Sequence, residues 1–459
     1  MTAIIHQRAA DSRTVPYNRA VVRRSLVVVL VLLVALAAPP SAPAQAPGVV
    51  ATTLDNGLRV LLLEDHRSPI VSFQMWYRVG SRNETRGHTG IAHFLEHMMF
   101  KGTPTHPRGQ FARLVEQNGG QDNAFTSQDV TSYYVDIAAD KMDLVVELEA
   151  DRMTHLLLDA REIDSERQVV IEERRTRTED DPNGYLAEEV EALAFRAHPY
   201  GQPVIGWMED LTRITPEEIR AFYKTYYAPN NALVVAVGDF KAPALLEKIR
   251  ERFGGIPRGV APPAVTAVEP VQNGERRVVV QKQAQLPIVY LAYPVPNQTS
   301  ADAPALEMLS TILASGRASR LYRSLVYDRQ LALDAGGDYS WFSIDPNLFW
   351  FWATAMPGQT PETLEKELTA EMARLEREPV SDLELQRARN QIESAFVFQD
   401  DSVHRRASLL ARFELLGGHA FKDGYLDRIR AVTAADVQRV ARAYFLPQRK
   451  NVGVLLPRP

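Results

Sequence analysis

Cysteine is missing from the whole chain. Its absence excludes disulfides, thiolate metal ligands and a lipid-modified N-terminal cysteine. Any metal site must therefore be built from histidine and carboxylate, a donor set that suits zinc. A chain of 459 residues can rest on its hydrophobic core without disulfide staples. A basic surplus is lacking as well. The formal net charge is −5, and no lysine and arginine cluster interleaved with aromatics occurs, so the electrostatic footprint of a nucleic-acid binder is absent. The apolar stretch Leu26 to Ala38 holds about 13 residues, short of the ~20 that a membrane-spanning helix needs.

That stretch has informative flanks. Arg19, Arg23 and Arg24 precede it, Pro39-Pro40 break it, and Ala42-Pro43-Ala44 offers a small-x-small cleavage site. This is the layout of a secretory signal peptide over residues 1–44. It predicts a mature chain starting near Val49, a periplasmic location, and no stable membrane insertion after cleavage. An uncleaved signal anchor is the other reading.

Histidine is scarce, with 10 in the chain, yet two of them fall in His93-Phe94-Leu95-Glu96-His97. If the segment is helical, positions i and i+4 lie about 40° apart around the axis, and both imidazoles reach one point in space. Glu96 lies on the same side, placed to polarise a water and act as base. The order His-x-x-Glu-His reverses the commoner His-Glu-x-x-His zinc motif. Gly87 and Gly90 lead into the segment and Gly102-Thr103-Pro104 end it. The apolar neighbours Ile91, Phe94, Leu95, Met98 and Met99 predict burial, and buried histidines and glutamates need partners.

Two histidines do not complete a catalytic metal site, which takes three protein ligands and one open position. The acidic helix expected from Arg161 to Arg177 offers Glu166 and Glu173, seven residues and so two turns apart on one face. Ile163 and Val170 lie beside that stripe and turn it inward. Helical spacing leaves both glutamates open as the third ligand, and a solvated charged helix would carry the same run.

Along the chain, strands and helices alternate in the manner of an α+β protein. A hairpin is predicted over residues 50–64 around Asp55-Asn56-Gly57, then a strand from Ile70 to Val79, the motif helix, and a short helix over 109–118. Two strands, Asn123 to Ser127 and Ser132 to Ala138, follow. The segment from Thr215 to Pro229 and the segment from Thr433 to Pro447 align without a gap, each a capped helix leading into a terminal strand. These features predict two homologous domains, each a mostly antiparallel sheet covered by helices. A zinc-binding domain would span 49–255, a proline- and glycine-rich linker 256–272, and a second domain without the motif 273–459.

The whole pattern resembles peptidase family M16, which includes pitrilysin, insulin-degrading enzyme and the mitochondrial processing peptidase. The resemblance covers nearly all of residues 49–459 and is strongest over 87–180. In that family a ligand glutamate follows the motif at a set distance, and Glu173, with 75 residues between it and His97, fits that place. Glu166 then fits a supporting outer carboxylate. Asn123, Ala124 and Phe125 match an edge strand whose backbone pairs with an extended substrate. The resemblance implies two domains forming a half-shell, a Zn2+ cofactor, and endopeptidase action on extended peptides or unfolded segments.

One departure matters. Active single-chain members carry an arginine and, seven residues on, a tyrosine in the C-terminal domain. Here those places hold Val326 and Leu333. A rival register would use Arg320 and Tyr327, but Leu331-Ala332 fixes the frame against it. Apolar side chains donate no hydrogen bond to a developing oxyanion. The expectation is therefore the zinc-bearing subunit of a heterodimer, with a homologous partner supplying the pair. A self-sufficient homodimeric peptidase and a non-catalytic peptide-binding or assembly protein are the alternatives.

Overall fold

The first turn sets the pattern. Gly57 adopts φ +93°, a left-handed conformation natural to glycine, and closes a hairpin between β1 (Val50–Thr53) and β2 (Arg59–Glu64). The Asn56 amide donates to the backbone carbonyls of Phe253 at 2.8 Å and Ile256 at 3.0 Å, tying the turn to the end of the first half. Residues 48–458 are described, in a computed structural model. The predicted signal peptide, 1–44, lies outside the described residues.

Four more strands follow: β3 (Ile70–Tyr77), β4 (Gln121–Thr126), β5 (Thr131–Ala138) and β6 (Ala232–Gly238). They complete a sheet in the order β1-β2-β6-β3-β5-β4, antiparallel except where β2 meets β6. Alternation places Tyr133, Val135 and Ile137 in the core, as their spacing predicts. The helices α1 (Ile91–Met98), α2 (Ala160–Arg174), α3 (Pro182–Ala194) and α4 (Pro216–Tyr226) belong to this half. The helix expected to run on to Arg177 changes at Arg175 into a wider π-type turn, Arg175–Glu179.

The second sheet has the order β7-β11-β8-β10-β9, from β7 (Arg276–Gln283), β8 (Ile288–Val295), β9 (Ala332–Tyr339), β10 (Asn347–Ala355) and β11 (Asn451–Arg458). It repeats the first sheet without a counterpart of β1: β11 runs parallel to β7 and antiparallel to β8, as β6 does to β2 and β3. Its helices include α5 (Ala303–Ala314), α6 (Asp382–Phe398), α7 (Val403–Leu416) and α8 (Ala434–Tyr444). The aligned segments form the same unit in both halves. Thr215 caps α4 through a reciprocal box with Glu218, and Thr433 caps α8 through one with Asp436. Each helix then leads into a strand inside its sheet.

The halves exchange a helix. α3 leaves the first sheet and lays Leu186 against Val280, Ile288 and Leu455, and Val190 and Ala194 against Ala292 and Leu348, all on the second sheet. α7 returns the favour in kind, packing Ala407, Leu410 and Ala411 against Leu61, Trp76, Leu233 and Val235 of the first. Close approach needs Gly453 on β11, where a Cβ would lie 2.3 Å from Val190 Cγ2. Among the described residues, no helix is long and apolar enough to cross a membrane.

Candidate active site

α1 starts where Gly90 turns the chain at φ +87°. The buried Glu84 carboxylate accepts hydrogen bonds from the N–H groups of Gly90 and Ala92, both at 2.8 Å, and so caps the helix start. Ile91, Phe94, Leu95 and Met98 anchor the helix in the core. That anchorage fixes the turn of the helix and leaves His93, Glu96 and His97 lining a cavity of about 770 Å³. α2 runs alongside, with Ile163 and Val170 buried in the same core, and carries Glu166 and Glu173 toward the histidines.

The geometry separates the two glutamates that helical spacing left equivalent. Glu173 Oε2 lies 3.2 Å from His97 Nε2 and 3.7 Å from His93 Nε2. One ligand atom from each of these three residues falls within 4.8 Å of the others, the one such cluster found among the described residues. Glu166 stands behind it. Its Oε1 is 2.9 Å from His97 Nδ1, which leaves Nε2 to face Glu173, and its Oε2 is ion-paired with Lys101. Such a carboxylate fixes the orientation and tautomer of a metal-binding imidazole.

The cluster fits a divalent cation. Two imidazoles and a carboxylate converge on one point, and Arg177 holds the outer Glu173 Oε1 at 2.7 Å. The imidazole rings sit 4.7 Å apart and respond unequally to that crowding. Burial, and then the neighbouring His97, lower the His93 pKa to about 4. For His97, burial is outweighed by hydrogen bonds to Glu166 and Glu173, and its pKa rises to about 9. Two imidazoles and a carboxylate are the donor set of a zinc site with an open position, and a metal binding there would displace the proton that His97 carries without it.

Glu96 does not join the cluster. It accepts a 2.6 Å hydrogen bond from Thr126 Oγ1, and burial raises its pKa. Thr126 belongs to β4, the free edge of the first sheet, and Asn123, Ala124 and Phe125 of that strand line the same cavity. All eight residues singled out from the sequence are thus brought to one place, seven on the cavity and Glu166 behind it. Sequence reasoning missed Lys101, Arg177 and Glu84, and placed Thr126 on the edge strand without its bond to Glu96. Lys101 lies four residues after His97 and Arg177 four after Glu173, a helical spacing that could have flagged both. Nothing local marks Glu84, which reaches the site through the fold.

In the second half, Val326 packs against the core and Leu333 is exposed on β9. Arg320 is held by both oxygens of Glu384, at 2.6 and 3.0 Å, while Tyr327 stands 70% exposed, so the rival register forms no pair free to meet a substrate.

Fold and cluster together define a metallopeptidase. Residues 59–207 match the family model described as insulinase (peptidase family M16), and residues 213–392 match the one described as the peptidase M16 inactive domain. The chain belongs to peptidase family M16. It is 34% identical to the zinc protease PqqE of Helicobacter pylori over 95% of its own length and 99% of that protein. It is also 27% identical to a probable mitochondrial-processing peptidase subunit beta of Arabidopsis thaliana, over 90% of this chain and 79% of the other. Among solved structures, a protease from Helicobacter pylori superposes with a TM-score of 0.87 at 33% identity, covering 90% of this chain and all of that one.

Proposed function

We propose that this chain is a zinc-dependent endopeptidase that cleaves extended peptides or unfolded segments. The observation that carries the reading is the convergence of His93, His97 and Glu173 beside a half-buried Glu96 that stays outside the cluster. His93, His97 and Glu173 would hold Zn2+, with Glu166 orienting His97. Zinc, when bound, supplies Lewis acidity that polarises a scissile carbonyl and makes water acidic near neutral pH. Glu96 takes the proton from the attacking water and returns it to the leaving amine, a role that its raised pKa suits. A structural metal site needs no such base, which weighs against a non-catalytic binding protein.

The free edge of β4 offers its backbone to an extended substrate, with Asn123, Ala124 and Phe125 at the cleft. Oxyanion support from the arginine and tyrosine places is missing, since Val326 and Leu333 occupy them. The chain is therefore the zinc-bearing subunit of a heterodimer, and a homologous partner supplies the pair. The zinc-binding domain is 49–255, joined by a linker over 256–272 to the homologous domain 273–459. Export to the periplasm follows from the basic-apolar-small layout of residues 1–44.

Purification of the chain alone, and with a homologous subunit that carries the pair, tests this reading on a fluorogenic peptide. Hydrolysis should need both chains and an intact Glu96. Full activity of the isolated chain would replace the heterodimer with a self-sufficient peptidase. Glu96→Gln with unchanged turnover would remove the catalytic reading.

A further inference from the structure

The second half keeps a cavity where the first half has its metal cluster. At the offset that sets Thr215 over Thr433, His93 falls on Thr311, His97 on Ser315 and Glu173 on Gln391. In the sheet the strand that answers to β4 is β9, which ends at Tyr339, and the aromatic pair Trp341-Phe342 follows in the loop after it. Thr311, Ser315, Gln391, Trp341 and Phe342 all line one cavity of about 590 Å³. Threonine, serine and glutamine provide none of the imidazole or carboxylate donors of a zinc site. These three places therefore hold no zinc donor, and the space beside them is open.

What lines it instead is specific. Glu307, on α5, accepts a hydrogen bond from the Tyr425 hydroxyl through Oε1, while its Oε2 is buried and accepts none. Burial pushes this carboxyl up to about 7. Arg405 and Arg412, on α7, line the same cavity, and among the described residues neither forms an ion pair. Arg412 lies over the Phe342 ring, 5.2 Å from its centroid. His404, the remaining basic group on this wall, is turned to Asp136 at 3.0 Å. Aromatic faces line the cavity as well: Tyr425 stacks on Trp341 at 5.4 Å and on Phe396 at 4.8 Å.

A buried carboxylate oxygen without a donor is a cost unless a ligand completes it, and an ammonium does so with a charge-assisted hydrogen bond. The two guanidinium groups ask for the opposite charge, and guanidinium forks match carboxylates. The volume lies within the ~300–1,000 Å³ of small-molecule sites. We propose that this cavity binds a zwitterionic α-amino compound with an apolar side chain, a free amino acid or dipeptide. Its ammonium meets Glu307, its carboxylate meets Arg405 and Arg412, and its side chain lies against Trp341 and Phe342. The site is separate from the zinc cluster and does not depend on the function proposed for it.

Calorimetric titration of the full chain with L-phenylalanine tests the assignment, because a free amino acid cannot be hydrolysed. Saturable binding is expected, with equal affinity in zinc-loaded and chelated protein. It should weaken about tenfold or more for N-acetyl-L-phenylalanine, which lacks the cation, for 2-phenylethylamine, which lacks the carboxylate, and for L-phenylalanine with Glu307→Gln. The three-ligand comparison on the unaltered chain keeps the test decisive if that variant does not fold. Absence of saturable binding, equal affinity for the acetylated compound, or binding that vanishes with zinc would overturn the proposal.

Discussion

Thr126 Oγ1 donates a hydrogen bond to Glu96 Oε2 at 2.6 Å, so the edge strand at the cleft also holds the carboxylate proposed as the base. A hydrogen bond to a charged group contributes ~1.5–3 kcal/mol. Thr126→Val should lower kcat/KM on a fluorogenic peptide by about tenfold or more, with zinc content unchanged, and Thr126→Ser should recover most of the loss. Equal activity of the valine variant would detach Thr126 from the base.

Glu166 and Glu173 should separate in metal affinity. Glu173→Gln removes the charge of the proposed third ligand, so zinc stoichiometry by elemental analysis should fall well below that of the unaltered protein. Glu166→Gln leaves the three proposed ligands in place and should loosen only the orientation of His97, an effect of roughly 10–100-fold in competition with a chelator. If Glu166→Gln loses as much metal as Glu173→Gln, the roles read from the geometry are reversed.

The buried pair Glu149–Arg152 gives a stability prediction away from the metal. Glu149 is 0% exposed and Arg152 3%, and the guanidinium also lies over the rings of Phe111 and Tyr133. Glu149→Ala strands a buried cation and should cost about 3–5 kcal/mol in chemical denaturation. A loss below about 1 kcal/mol would mean that water reaches Arg152.

Asp65 sets a pH window. Arg67, together with Arg406 from α7 and against the effect of burial, holds its pKa at about 2, below the ordinary 3.8. Because the folded value is depressed, the stabilisation is complete above the unfolded value, near pH 4. It fades as the pH falls through about 2. With solvent screening the contribution is about 1–2 kcal/mol. Asp65→Asn should therefore be less stable than the unaltered chain at pH 6, and the gap should close toward pH 2. A gap that does not change with pH would assign the effect to packing.

Much of this architecture was legible because it is local. The hairpin at Asn56-Gly57, the alternation of Tyr133, Val135 and Ile137, and the two threonine caps all follow from short-range rules, and each forms as expected. His93 and His97 share a helix, so their convergence was readable from spacing. The choice between Glu166 and Glu173 was not. It depends on how α2 lies across α1, a tertiary quantity that helical period does not contain. The aromatic cavity beside Glu307 went unread for the same reason: its walls come from α5, α6, α7 and the loop after β9, distant in sequence and joined only by packing.

The helix exchange has a consequence for how the gene can be divided. A break within residues 254–275 cuts no helix or strand. Yet it would separate each sheet from the layer that covers it, because Leu186 and Val190 travel with one fragment and Leu410 and Ala411 with the other. Two such fragments made separately would each display an apolar face shaped for its missing mate. Co-produced, they are built to find one another, and made singly each is prone to aggregate.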